Sequence, residues 1–134
     1  MDTTLKIIGY VRSDFKKRTE TPKQGDEGGI EATVEINEEY AEAMQGLTVG
    51  LEIVLLTWLH GADRSYKKVH PRGDESKPKR GVFSTRSPDR PNPVGIHPVT
   101  ITDIDGLKIK VHPLEAIDGT PLVDIKNDYH PKNR

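Results

Sequence analysis

The feature that most restricts this chain is a strict two-residue alternation at Ile30 to Ile36, where Ile30, Ala32, Val34 and Ile36 are separated by Glu31, Thr33 and Glu35. That period gives a β-strand one dry and one wet face and does not fit the 3.6-residue period of a helix. A second alternation, Leu107, Ile109 and Val111 against Lys108, Lys110 and His112, follows Asp105-Gly106, a hairpin signal after the apolar segment Val94 to Ile104. Leu5 to Val11 has strand composition, and Gly9 inside it marks a bulge or a close approach of two backbones. Leu51 to His60 is too continuously apolar to alternate and reads as a central buried strand. Gly81 to Thr85 reads as a short strand, and Leu122 to Ile125 is a short apolar run after the turn Ile117 to Pro121. One helical period is present: Tyr40, Met44 and Leu47 follow Asn37, a possible cap, with Glu38 and Glu39 suited to the positive end of a helix dipole. Five to seven strands, one short helix and no strand–helix–strand alternation predict an all-β fold, a mainly antiparallel compact β-barrel.

A length of 134 residues suits a single domain over 1–134, with 126–134 expected as a loosely ordered tail. Hydrophobic residues make up only 33%. A chain this size buries about 70% of its unfolded surface, so some apolar surface is expected to close against a second copy. The longest apolar stretch, Ile53 to Leu59, is far short of a membrane span. The N-terminus carries no basic-then-apolar secretory pattern, and the expected location is cytoplasmic. Without cysteine the chain has no disulfide, thiolate nucleophile or Cys-ligated metal.

Charge is segregated. Glu20, Asp26, Glu27, Glu31, Glu35, Glu38, Glu39, Glu42 and Glu52 face one basic residue, Lys23, in the same stretch. From Arg64 to Arg90, nine basic residues stand against Asp74, Glu75 and Asp89. Such an excess attracts a polyanion through counterion release, and equally describes a solvated loop. Two polar loops, Ser13 to Gly29 and Ala62 to Arg80, are long enough to be functional. Neither a dinucleotide fingerprint nor a phosphate-cradling glycine loop is present, His60, His70, His97, His112 and His130 lack metal-site spacing, and Ser84 and Ser87 lack a nucleophile motif.

The unusual segment is Gly81 to Ile96, Gly-Val-Phe-Ser-Thr-Arg-Ser-Pro-Asp-Arg-Pro-Asn-Pro-Val-Gly-Ile. Its three prolines stiffen a loop that would present Arg86 and Arg90 as planar donor forks for a carboxylate or phosphate; otherwise it is a tight corner with both arginines in ordinary surface pairs. This run closely resembles the signature of the TsaA-like family, also called the TrmO or YaeB family. Ile8-Gly9-Tyr10-Val11-Arg12-Ser13 resembles the family's opening strand and Pro22-Lys23-Gln24 its Pro-Arg-Gln loop, with Lys for Arg. Leu51 to His60 resembles its apolar strand, and Asp118 to Lys126 its Asp-Gly-Thr-Pro-x-x-Asp-Ile-Lys motif. Lys126-Asn127-Asp128-Tyr129-His130-Pro131 departs from the family's Lys-Pro-Tyr-x-Pro by an extra residue, and the additional C-terminal region of the bacterial members has no counterpart here.

The resemblance implies a homodimeric β-barrel that binds S-adenosyl-L-methionine and methylates N6 of threonylcarbamoyladenosine beside the tRNA anticodon. By motif position it places Pro22, Lys23, Gln24, Leu59, His60, Arg86, Ile96, Asp118, Gly119, Thr120 and Pro121 in the cofactor site, with no metal. The 64–90 region is the expected tRNA contact. Asp118 and Asp124 are candidates for the proton that the methylated nitrogen sheds, although Asp-Gly-Thr-Pro is also a turn sequence. Two other readings stay open: a non-catalytic RNA-binding barrel, and an S-adenosylmethionine-binding barrel acting on a small molecule.

Overall fold

The alternating segments become the wall of a barrel. The structure, a computed structural model, describes residues 1–15 and 30–129; Pro22, Lys23, Gln24, most of the first polar loop and the end of the expected tail lie outside them. Six strands close in the order β1 (Gly9–Arg12), β2 (Ile30–Ile36), β7 (Lys108–Leu114), β6 (Val94–Asp105), β3 (Glu52–Trp58) and β8 (Pro121–Asn127), every neighbouring pair antiparallel. A separate two-stranded ladder, β4 (Lys68–Val69) with β5 (Arg80–Gly81), lies in the excursion between β3 and β6. The inward side chains Val11, Val34, Ile53, Leu55, Val99, Ile109, Val111, Leu114 and Leu122 are fully buried and form the core. Among the described residues no helix is long and apolar enough to cross a membrane.

Closure depends on Gly9, which is paired on both sides, with Ile36 of β2 and Leu122 of β8. A Cβ at this position would lie 2.2 Å from the Glu35 carbonyl oxygen. The glycine therefore serves a close approach of backbones. The strand itself is shorter than the Leu5 to Val11 expectation, because Ile8 bonds by N–H to the Leu122 carbonyl and by its carbonyl to Asn37 outside the regular ladder.

Four other expectations are corrected. The helix is a 3₁₀ helix at Glu38–Met44 with a kink at Tyr40, and Asn37 does not cap it; the Asn37 side-chain amide donates instead to the Ile7 carbonyl at 3.0 Å. Tyr40, Met44 and Leu47 still pack against the core. The hairpin turn is Gly106-Leu107, closed by Asp105 opposite Lys108, with Gly106 at φ 60° in the first central position, as in a II′ turn. Gly81 to Thr85 is the end of β5 followed by a 3₁₀ turn at Val82–Ser84. The final strand runs on through Lys126 and Asn127, which pair with Val54 and Ile53, because ladder hydrogen bonds need no apolar side chain.

β3 departs from its expectation in a more informative way. Ile53, Leu55 and Thr57 point inward and are buried, while Val54, Leu56 and Trp58 lie half-exposed on the outside. The strand lacks a polar face because its outer face is an apolar stripe, continued on β6 by Pro98, Ile96 and Val94, the register partners of Val54, Leu56 and Trp58. Gly9→Ala is expected to cost at least about 2 kcal/mol, since the methyl group must displace backbone. Urea unfolding followed by circular dichroism should show a clearly lower midpoint.

Candidate functional site

The chain leaves the barrel after Trp58 and re-enters at Val94, and the stiff signature segment forms the return limb of this excursion. The two limbs are tied together at their base. Leu59 N–H donates to the Pro93 carbonyl at 2.8 Å, and the Arg64 guanidinium lies 5.1 Å from the Trp58 ring centroid while donating to Pro91 O and Asn92 Oδ1. Asp63 N–H donates to Asp89 Oδ1 at 2.9 Å. The Asp63 carboxyl is held below the usual carboxylate range by the Ser65 hydroxyl and backbone N–H, and Asp74 likewise by Ser76. These local turns order a segment that has little core of its own.

The two signature arginines separate in role. Arg90 turns inward and donates to the carbonyls of Val82, Thr85 and Ser87, bracing the loop from within. Its Nε and one terminal nitrogen are taken by backbone, so that edge of the guanidinium is not an available fork for a ligand. Arg86 is exposed on the wall of a cavity of about 1180 Å³ between the excursion and the barrel. No hydrogen bond or ion pair of Arg86 exists among the described residues, so its donor fork is available.

That cavity brings together Leu59, His60, Arg86, Ile96 and Thr120 of the positions expected to bind cofactor. Asp118, Gly119 and Pro121 do not line it. Asp118 Oδ1 accepts the Ser13 N–H at 3.1 Å, and Asp118 N–H donates to the Phe15 carbonyl. Gly119, at φ 85°, donates to Val11 O, and Thr120 Oγ1 donates to Ile117 O at 2.6 Å. The Asp-Gly-Thr-Pro turn therefore grips the stem of the loop that carries Pro22, Lys23 and Gln24. Asp124 lies on the barrel exterior, half-exposed and paired with Lys126 at 3.2 Å, away from the cavity.

Four cavity residues were not singled out from sequence. Phe83 stands at the rim and is 87% exposed, beside the basic residues Lys79 and Arg80. His97 and Glu115, on β6 and just after β7, meet at 2.7 Å on the cavity wall. Gly95, two residues before His97, completes that wall. Parity is the signal that could have found His97: it occupies the inward position between Gly95 and Val99 on an otherwise dry face. Glu115 gives no such signal, since only the fold carries it to His97.

The basic residues Lys67, Lys68, Lys79 and Arg80 make no ion pair among the described residues, whereas Glu35 on β2 is paired with Arg12 at 3.3 Å. The charge of these four residues is thus left open to an outside partner.

Comparison with known proteins agrees with this architecture. The family model of the tRNA-methyltransferase O N-terminal domain matches residues 10–132. A probable S-adenosyl-L-methionine-binding protein of Methanothermobacter thermautotrophicus is 43% identical over 129 residues, covering 96% of this chain and 92% of that protein. An S-adenosyl-L-methionine-binding protein of Archaeoglobus fulgidus is 39% identical over 128 residues, covering 96% and 90%. A crystal structure of TrmO superposes with a TM-score of 0.76 at 28% identity over 99% of this chain, and one from Pseudomonas aeruginosa with 0.70 at 27% over 96%. The chain spans 64% and 56% of those two structures. With a family model covering most of its length and relatives matched nearly end to end, the chain belongs to the tRNA-methyltransferase O N-terminal domain family.

Proposed function

We propose that this chain binds S-adenosyl-L-methionine in the cavity at the end of β3 and transfers its methyl group to N6 of threonylcarbamoyladenosine in the anticodon loop of a tRNA, a cytoplasmic reaction. The observation that carries the reading is the cavity itself, which joins a free guanidinium fork, apolar walls from Leu59 and Ile96, and an open cationic rim. Its volume of about 1180 Å³ exceeds the usual range for a single small ligand, about 300–1,000 Å³, and leaves room for an acceptor base beside a nucleoside cofactor. The residues present fit such a cofactor: Arg86 suits a carboxylate, and Leu59 and Ile96 suit an apolar ring face. Names of the closely matched relatives, as S-adenosyl-L-methionine-binding proteins, support the same assignment.

When bound, the cofactor supplies a methyl group on a positively charged sulfur. The chain's task is chiefly positioning, since methyl transfer needs an in-line approach and no covalent enzyme intermediate. Arg86 would hold the carboxylate end, and His60 at the strand terminus borders the same space. Phe83 offers an exposed aromatic face on which an extruded base can stack, and the surrounding lysines and arginines suit the phosphates on either side.

The outer stripe of Val54, Leu56 and Trp58 with Val94, Ile96 and Pro98 is the surface we assign to homodimerisation. Val94 and Ile96 are 42% and 45% exposed and also line the cavity, so a second copy seated there would help to enclose the site.

Calorimetry should detect one S-adenosylmethionine per chain at micromolar affinity; no binding with or without tRNA would reject the reading. Asp118→Ala should weaken that affinity at least about tenfold by releasing the Ser13 stem, a loss typical of one hydrogen bond to a charged group. Replacing Lys67, Lys68, Lys79 and Arg80 with Ala should lower tRNA affinity and flatten its dependence on salt by roughly 0.7–0.9 log units per lost phosphate contact. Phe83→Ala should lower affinity about 5- to 100-fold at an unchanged salt slope, as loss of stacking does. Light scattering should report a dimer for the parent chain and a monomer for Leu56→Glu.

A further inference from the structure

His97 and Glu115 form a buried acid–base pair that the positioning scheme above leaves without a task. His97 Nδ1 lies 2.7 Å from Glu115 Oε1 and His97 Nε2 lies 2.8 Å from Thr57 Oγ1. The side chains of His97 and Glu115 are 5% and 13% exposed. An ionised carboxylate can only accept, so Nδ1 is the donor to Glu115, while Nε2 meets the Thr57 hydroxyl, which can donate to a neutral ring or accept from a charged one. Gly95 is required by this arrangement: a Cβ there would stand 2.5 Å from Thr57 Oγ1 and 2.8 Å from His97 Nε2. A β-bulge in the β3–β8 ladder, between Leu56 and Thr57, falls beside the same group.

Only one oxygen of Glu115 is used. Oε2 has no hydrogen-bond partner, and no buried side-chain polar atom among the described residues lacks one, so Oε2 keeps access to solvent, and Glu115 is itself one of the residues lining the cavity. Burying most of a carboxylate is costly unless it is hydrogen-bonded, and here a single imidazole supports it while the second oxygen stays open. This is the arrangement of an acceptor held ready for an incoming N–H.

We propose that Glu115 is the proton acceptor of the site, taking the proton that the acceptor nitrogen loses on becoming methylated, with His97 and Thr57 as positioning residues. This rests on the methyl-transfer reading. The acceptor nitrogen forms a bond to the methyl carbon as the carbon–sulfur bond breaks with its electron pair staying on sulfur, and the nitrogen then carries one proton too many. Glu115 Oε2 takes that proton, becomes a neutral acid and returns it to water through the cavity. Asp118 and Asp124, the carboxylates the sequence motif suggests, are engaged elsewhere. The other titratable groups bordering the cavity are His60, Arg86 and Arg90, the excursion's basic residues and His70, and its Tyr66, Glu75 and Asp89, of which Asp89 accepts the Asp63 N–H.

The test is Glu115→Gln, which keeps the shape and the bond from His97 but removes the negative charge. Single-turnover transfer from S-adenosylmethionine to tRNA should fall about 10²- to 10⁴-fold, the usual contribution of a positioned acid or base. The parent's rate should climb with pH on the acid side and then level, and this limb should vanish in the variant. The thermal midpoint should be essentially that of the parent, and calorimetric affinity for S-adenosylmethionine and S-adenosylhomocysteine should stay within about threefold of it. In the ligand-free protein, the downfield Nδ1 proton of His97 should move upfield with the substitution. Should Gln disturb folding, Glu115→Asp carries the test and should be slowed with its acid limb intact. A variant as fast as the parent overturns the proposal, as does a selective loss of affinity for the sulfonium ligand, which would make Glu115 a charge partner of the cofactor. A parent that binds S-adenosylmethionine and transfers no methyl overturns the methyl-transfer reading itself.

Discussion

The approach of two backbones at Gly9 is the constraint on which the rest of the molecule depends. β1 is four residues long, yet it must join β2 on one side and β8 on the other for the sheet to have no free edge. A side chain at Gly9 would meet the Glu35 carbonyl before the ladder formed. Once the seam closes, Val11 N–H and carbonyl both bond into the 119–120 turn, and that turn in turn holds Ser13 and Phe15 through Asp118. Ser13 to Phe15 and the cavity-lining residues Ile117 and Thr120 are therefore positioned by the same seam that completes the barrel.

Sequence periodicity revealed the elements whose two faces meet different surroundings. Ile30 to Ile36 and the strand after Gly106 are cases where one face is dry and the other wet, so alternation was legible. β3 was misread because both of its faces are apolar for unrelated reasons, core on one side and the outer stripe on the other. The helix was legible as an amphipathic stretch but not as 3₁₀, since the kink at Tyr40 and the end at Met44, with Leu47 reaching the core from the turn beyond, bring the three side chains inward without an α-helical period. Lys126 and Asn127 were missed because backbone pairing with β3, not side-chain burial, holds them.

The same division runs through the site. The motif residues Leu59, His60, Arg86, Ile96 and Thr120 were recognisable in the sequence, and the fold gathers them around one cavity. What motif reading did not separate was the role of each. Arg86 and Arg90 look alike in a row of letters, but the loop folds the carbonyls of Val82, Thr85 and Ser87 toward Arg90, and its guanidinium bonds them. Asp118 looked like chemistry and is joinery. His97 and Glu115 are 18 positions apart and come together only through the β6–β7 register.

The excursion that carries most of the cavity rim begins at Leu59 and ends at Pro93, and those two residues are joined by a single backbone hydrogen bond across neighbouring strands. The barrel's ladders are therefore complete without it. The segment is thus a cantilever anchored at one point: strain or motion within it is not transmitted into the barrel ladders, and the barrel mouth is a fixed wall against which the excursion can shift as a unit.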